Sequence, residues 1–253
     1  MSQRKQVCLF GTSADPPTGK GGHLGIAQHL ASMEFDEVRI LPVYVHMFGS
    51  KRGKQASFQA RIEMCRILFK DVPKVVVSEA ERICCEKAAE GLEEQQKASL
   101  RIGTADLLDM LINDEPDVDF TLAFGADTFI DLARGKWRRT EDVFQLVRYR
   151  MVVFRRISPS QQQNDSKDED VVDVDNDDET DRVLSESIAK WNSIGGQQSS
   201  IRAIQIPTLT NVSSSAVRRS TRDETILKEM LTSGVMEYVQ QNRMYSLSEN
   251  GIE

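Results

Sequence analysis

Val7-Cys-Leu-Phe-Gly-Thr-Ser-Ala-Asp-Pro-Pro-Thr-Gly-Lys-Gly-Gly-His23 runs from an apolar, strand-like segment through glycines and prolines into a helical stretch. A strand that turns through glycines into a helix presents backbone N–H groups and the positive end of a helix dipole to an anion, and phosphate is the natural guest. Gly11 permits close approach to the backbone, the Pro16-Pro17 pair stiffens the turn, and Gly21-Gly22 give latitude just before His23. A histidine at a helix start can donate to phosphate oxygens, neutral or charged. The run is not a G-x-x-x-x-G-K-[ST] loop, nor does it fit the G-x-G-x-x-G dinucleotide pattern in register.

Outward from this stretch, apolar runs rich in β-branched residues recur at Val38 to Val45, Val75 to Val77, Phe120 to Phe124, Met151 to Phe154 and Ile201 to Ile206. Amphipathic patterns lie between and after them, at Phe58 to Phe69, Ala105 to Ile112, Thr225 to Leu231 and Val235 to Asn242. The alternation predicts an α/β fold with a doubly wound, mostly parallel sheet, helices on both faces and a small C-terminal helical part. Ligands of such sheets sit at the carboxyl ends of the strands, near the topological switch point. A hydrophobic content of 40% is enough for a buried core.

One stretch breaks the alternation. Between Gln161 and Asp181 stand ten Asp or Glu against a single lysine, Lys167, so the local charge of −9 exceeds the −7 of the whole chain. The expected organisation is a core over residues 1–157, an acidic and disordered insertion over 158–196, and completion of the same domain over 197–253. Within the insertion, Arg182 to Trp191 has the pattern of a short helix. The start of the chain offers no signal-peptide pattern, and no apolar run approaches the roughly 20 residues of a membrane helix. Cys8, Cys65, Cys84 and Cys85 form neither a C-x-x-C pair nor a metal-ligand pattern. They read as reduced thiols of a cytoplasmic protein, a nuclear location also being compatible, with neither a nucleic-acid nor a membrane partner and with room for a homo-oligomer.

A second motif lies far downstream. Asn211-Val-Ser-Ser-Ser-Ala-Val-Arg218 places hydroxyls at a helix start and, one turn on, a planar guanidinium suited to phosphate. The first run resembles the G-[GT]-[ST]-F-D-P-[IP]-[HT]-x-G-H signature of the adenylyltransferases in the nucleotidyltransferase α/β-phosphodiesterase superfamily, and the second resembles their I-S-S-T-x-I-R. Phe124-Gly-Ala-Asp127-Thr-Phe followed by Trp137, His46-Met-Phe-Gly-Ser-Lys51, Arg61-Ile-Glu-Met64, Thr104-Ala-Asp106 and Val235 to Tyr245 are similar to further motifs of one branch, the nicotinate or nicotinamide mononucleotide adenylyltransferases. The resemblance spans nearly the whole chain outside the acidic stretch and the termini.

What the resemblance implies is a Rossmann-like enzyme of NAD biosynthesis that joins the AMP of ATP to a pyridine mononucleotide and releases pyrophosphate. Gly11, Thr12 and Ser13 would line the adenylate site, and His23, Lys51 and Arg218 would act on the phosphates as catalytic groups. Gly125 and Asp127 would hold the ribose or pyridine end, Trp137 and Thr104 would flank the pyridine ring, and Ser213 and Ser214 would grip the polyphosphate. Mg²⁺ would be bound mainly through the ATP phosphates. Two departures stand out. Thr18 occupies the place of the signature's first histidine, with two extra residues before His23, so that Thr18 or Lys20 would take over its contact. Gly103 replaces the aromatic of the S-Y-T motif, which leaves the choice between nicotinate and nicotinamide open. Transfer to another phosphorylated acceptor, or a non-catalytic nucleotide-binding module, are the readings left beside this one.

Overall fold

In the strand β1, Lys5–Thr12, side chains alternate between two cores, because successive residues of a strand point to opposite faces. Cys8 and Phe10 enter one buried cluster, Val7 and Leu9 the other. Both faces of the sheet are therefore covered, as parallel sheets require. The computed structural model describes residues 4–44, 55–155, 175–206, 208–210, 212–220 and 223–245.

After β1 come α1 (His23–Ser32), β2 (Glu37–Pro42), α2 (Phe58–Phe69), β3 (Val75–Val77), α3 (Ala80–Ala89), α4 (Glu94–Ser99) and α5 (Thr104–Asp114). The chain continues with β4 (Val118–Gly125), α6 (Ala126–Ala133), α7 (Thr140–Leu146), β5 (Arg150–Arg155), α8 (Asp175–Gly195), β6 (Ser200–Gln205), α9 (Ser214–Arg219), α10 (Glu224–Met230) and α11 (Ser233–Gln241). All strand pairings are parallel, and the order is β3-β2-β1-β4-β5-β6. Every apolar run expected as a strand is one. The second ends at Pro42, and Val45 lies outside the described residues.

One core packs α1, α2, α10 and α11 on one face through Leu30, Met64, Leu227 and Val235. The other packs α3 and α5 to α8 through Cys84, Leu108, Phe129, Phe144 and Trp191. The strand order reverses between β1 and β4. Phe10 lies opposite Ala123, and each strand ends two residues further on, at Thr12 and Gly125. The two carboxyl ends thus meet where ligands of open α/β sheets bind.

The acidic insertion needs correction in its second half. Residues 175–195 form the long helix α8, where a mobile loop with at most a short helix was expected. Its buried Leu184 and Trp191, with Ile188 between them, repeat at the spacing of one helical face. Trp191 stacks on Phe144 with centroids 3.7 Å apart and planes 7° from parallel. Asn192 bonds both the N–H and the C=O of Ile201 at 3.0 and 2.9 Å, locking the helix to β6. Parallel neighbours such as β5 and β6 need a crossover of a dozen or more residues, and α8 supplies it.

The four cysteines are free thiols, three of them buried. Burial pushes Cys65 up to about 12 and Cys84 and Cys85 up to about 11, so all three stay protonated near neutrality. No helix among the described residues is long and apolar enough to cross a membrane.

Candidate active site

The connection from β1 to α1 is fixed before it reaches any ligand. Thr12, at the end of β1, turns its hydroxyl back to accept from the Ala14 N–H at 3.2 Å. Ala14 takes a positive φ of 48°, an uncommon conformation for a residue with a Cβ, and the Asp15-Pro16 bond is cis. Asp15 follows, fully buried. A buried carboxylate is stable only when its oxygens are paired. Oδ1 accepts from the Ala56 N–H at 3.1 Å and the Tyr245 hydroxyl at 2.6 Å, while Arg218 lies 3.4 Å from Oδ2 and also donates to the Asp15 carbonyl. Arg61, buried beneath the loop, donates to the carbonyls of Ser13 at 3.0 Å and Ala56 at 3.2 Å. Burial pulls the Arg61 guanidinium below its ordinary range, and burial together with Asp15 pushes the Tyr245 phenol well above its own.

The second motif closes on the first. Ser213 caps α9, accepting from the Ala216 N–H at 3.1 Å. Ser214 is buried and donates to the Pro16 carbonyl at 2.9 Å, across 198 residues of sequence. Thr210 donates through its N–H to the Gly21 carbonyl at 2.9 Å, and Gly19 to the Met230 carbonyl at 2.8 Å. Ser214 is therefore a joint between the two loops. Arg218 keeps a third of its side chain exposed beside the carboxylate it pairs with.

Within the loop, Gly11 and Lys20 are exposed and Ser13 is partly exposed. A Cβ on Gly11 would meet nothing within 4 Å, so protein packing does not demand glycine there. Thr18 is fully buried, and its backbone N–H and hydroxyl lie 3.1 and 2.7 Å from Nδ1 of His23. The His23 ring also stands 6.2 Å from that of Phe10.

Gly125 ends β4 and Asp127 lies exposed in the first turn of α6. Trp137 sits partly buried against Phe124, ring centroids 6.2 Å apart. Thr104 opens α5, whose N-cap Gly103 donates to Asp106 at 2.8 Å. Asp106 also pairs with Arg138 and Arg139, at 3.3 and 3.1 Å, so its carboxylate ties a helix start to the Trp137 loop. Lys51, with His46, lies outside the described residues.

The loop and α9 are thus brought together, and the β4 end lies beside β1. Sequence reasoning missed Asp15 as the hub of the joint, and with it the parts played by Arg61 and Tyr245. The available signal was a carboxylate inside an otherwise anion-binding loop, which needs buried partners.

The profile of the Cytidylyltransferase-like family matches residues 9–220. A "Probable nicotinate-nucleotide adenylyltransferase" of Myxococcus xanthus (strain DK1622) is 28% identical over 144 residues, 56% of this chain and 66% of that protein. One of the same name from Sulfurovum sp. (strain NBC37-1) is 35% identical over 78 residues, 31% of this chain and 40% of that protein. The matched regions thus span less than two thirds of either relative. In fold, the chain is similar to Plasmodium falciparum nicotinic acid mononucleotide adenylyltransferase complexed with APC, at a TM-score of 0.61 and 19% identity, covering 95% of this chain and 97% of that one. With most of its length matched, including both loops of the candidate site, the chain belongs to the cytidylyltransferase-like family.

Proposed function

We propose that this chain is an adenylyltransferase of NAD biosynthesis, transferring the AMP of ATP to the phosphate of nicotinate or nicotinamide mononucleotide. The observation that carries the proposal is the joint between the two phosphate-type motifs. Residues 198 apart in sequence meet at the carboxyl end of β1, beside that of β4, which gathers Lys20, His23 and Arg218 around one loop. The names of the two curated relatives support the choice of reaction.

In this reaction an oxygen of the mononucleotide phosphate attacks the α-phosphorus of ATP, the bond from that phosphorus to the bridging oxygen breaks, and pyrophosphate leaves. The nucleophile is already an anion, so no general base is needed. Catalysis reduces to aligning two repelling anions and neutralising charge that grows on the leaving group. His23, Arg218 and Lys51 would serve that end, with Lys20 beside them. Gly11, Thr12 and Ser13 would border the adenylate, Gly11 by leaving its Cα approachable. Gly125, Asp127, Thr104 and Trp137 would bound the mononucleotide.

Mg²⁺ supplies charge neutralisation on the triphosphate when bound. Among the described residues no group of three or more His, Cys, Asp or Glu could hold a metal ion. The groups gathered here are anion donors, which fit a magnesium nucleotide held through its phosphates.

The test is pyrophosphate release from ATP with each mononucleotide in turn. Release with either supports the proposal, and the ratio of kcat/KM values names the preferred base. Release only with a different phosphorylated acceptor, or with none, would overturn it.

A further inference from the structure

Thr18 stands at the [HT] position of the signature, and the described geometry gives it a task of its own. Its N–H, which can only donate, points at Nδ1 of His23 at 3.1 Å, so that nitrogen carries a lone pair. Its hydroxyl oxygen accepts from the His23 N–H at 3.1 Å and lies 2.7 Å from the same Nδ1. With the oxygen facing one donor, the hydroxyl hydrogen is directed to Nδ1 as well. A neutral imidazole has one N–H, and two donors at Nδ1 leave it on Nε2.

We propose that Thr18 is a positioning residue that orients His23 and fixes its Nε2–H tautomer, so that Nε2 is the donor presented to phosphate. The inference rests on the nucleotidyl-transfer reading and deepens it. Full burial of Thr18 separates it from a ligand-facing role. Gly22 is part of the same device, because a Cβ there would stand 2.0 Å from the Thr18 hydroxyl oxygen. The two extra residues are explained too. A separation of five lets the chain fold back, with Gly22 N–H on the Gly19 carbonyl at 2.9 Å and Leu24 N–H on the Thr18 carbonyl at 3.1 Å, so that residue 18 reaches the ring from behind.

The test begins on the full chain without substrates, labelled with ¹⁵N-histidine. Of its three histidines, His23 is assigned by the resonance lost in His23→Gln. The expected spectrum shows an unprotonated Nδ1 and a protonated Nε2. A ring protonated on Nδ1 in the neutral state would overturn the proposal. Thr18→Val keeps the backbone donor to Nδ1 and removes the hydroxyl, so it should shift the Nδ1 resonance, loosen the orientation of the ring and lower kcat roughly ten- to hundredfold, as for a misplaced catalytic group, while KM for ATP stays close to its starting value. Thr18→Ser should restore both spectrum and kcat. A raised KM for ATP at unchanged kcat would make Thr18 a phosphate ligand, and an unchanged spectrum with unchanged kcat would make it a spectator; either result sinks the idea. If the valine variant does not fold, Gly22→Ala, which displaces the same hydroxyl, should give the same spectral change. The spectra answer for the tautomer even if no acceptor releases pyrophosphate, an outcome that would remove the reaction and leave the clasp standing.

Discussion

The connection after β1 and the crossover after β5 both leave carboxyl ends of parallel strands of one sheet, with β4 between them, yet they are held in different ways. The first is fixed by directional polar contacts: Asp15 by Ala56, Tyr245 and Arg218, Ser13 by Arg61, Gly21 by Thr210. The second ends in α8, polar on its outer face and held on its inner face mainly by apolar contact, chiefly Trp191 on Phe144 with Leu184 in the same cluster, while Asn192 pins its last turn to Ile201. Hydrogen bonds fix a group in distance and direction, whereas apolar burial fixes an element against a surface and tolerates much of its remaining sequence. A loop that aims donors at phosphate needs the first kind of hold. A helix that only returns the chain to the far end of the sheet needs the second.

The difference can be broken at its extremes. Trp191→Ala should destabilise the fold by about 3–5 kcal/mol, as for an aromatic removed from a core, while leaving kcat near normal wherever the variant remains folded. Urea unfolding alongside the activity assay reads both, and a selective loss of kcat would show that α8 serves the site as well as the sheet. His23→Ala should do the reverse. Turnover falls by roughly two to three orders of magnitude, in the range for removing a preorganised transition-state donor, while stability falls by no more than about 1–3 kcal/mol, the cost of leaving the buried Thr18 donors without their acceptor. Near-normal turnover would remove His23 from the chemistry.

A third change probes polar groups near the same edge of the sheet. Glu81, in the first turn of α3, accepts from the Tyr44 N–H at 2.9 Å, just past the end of β2. Burial raises its carboxyl from 4.5 to about 7, against the opposing effects of the Tyr44 N–H and Arg61. Below pH 4.5 the group is protonated folded and unfolded alike. Between 4.5 and 7 the unfolded chain releases the proton first, so stability falls as pH rises and stays lower above 7. Glu81→Gln should flatten that decline and gain up to about 3 kcal/mol at pH 8 relative to pH 4. Parallel stability profiles for the two proteins would show that Glu81 titrates normally.

The same contrast explains what the sequence disclosed. The four inner strands were legible because each is largely buried and reads as an apolar run, and the edge strands β3 and β6 because apolar, partly β-branched residues recur in them, although Val76 of β3 is exposed. The helix α8 was legible only in its second half, as the pattern from Arg182 to Trp191, because three apolar residues, Leu184, Ile188 and Trp191, carry its inner face amid acidic neighbours that dominate composition. The parallel pairing of its flanking strands was the better guide. At the site, the glycine loop, His23 and Arg218 were legible from local spacing. Asp15 was not, since its partners lie 41, 203 and 230 residues away and nothing local announces them. The bonds from Thr18 to His23 were not legible either, because a motif records which residue stands at a place and not the direction of its hydrogen bonds.

The smallest effect gives the finest test of the polar hold. Tyr245→Phe removes one oxygen and leaves the ring, so packing is preserved while Oδ1 of the buried Asp15 keeps the Ala56 N–H and loses its 2.6 Å donor. A buried acceptor left short of a partner costs about 1–3 kcal/mol, and the unfolding midpoint should fall accordingly. Because Asp15 also engages Arg218, KM for ATP should rise more than kcat falls. The matching change on the other connection is Glu186→Gln on the exposed face of α8, where the carboxylate faces Arg182 at 3.7 Å with both side chains about two-thirds exposed. That substitution should stay within about 0.5 kcal/mol of the parent and leave the kinetics unchanged. Equal shifts from the two variants would mean that Asp15 is no hub, and that the loop after β1 is held by its apolar neighbours, as the helix after β5 is.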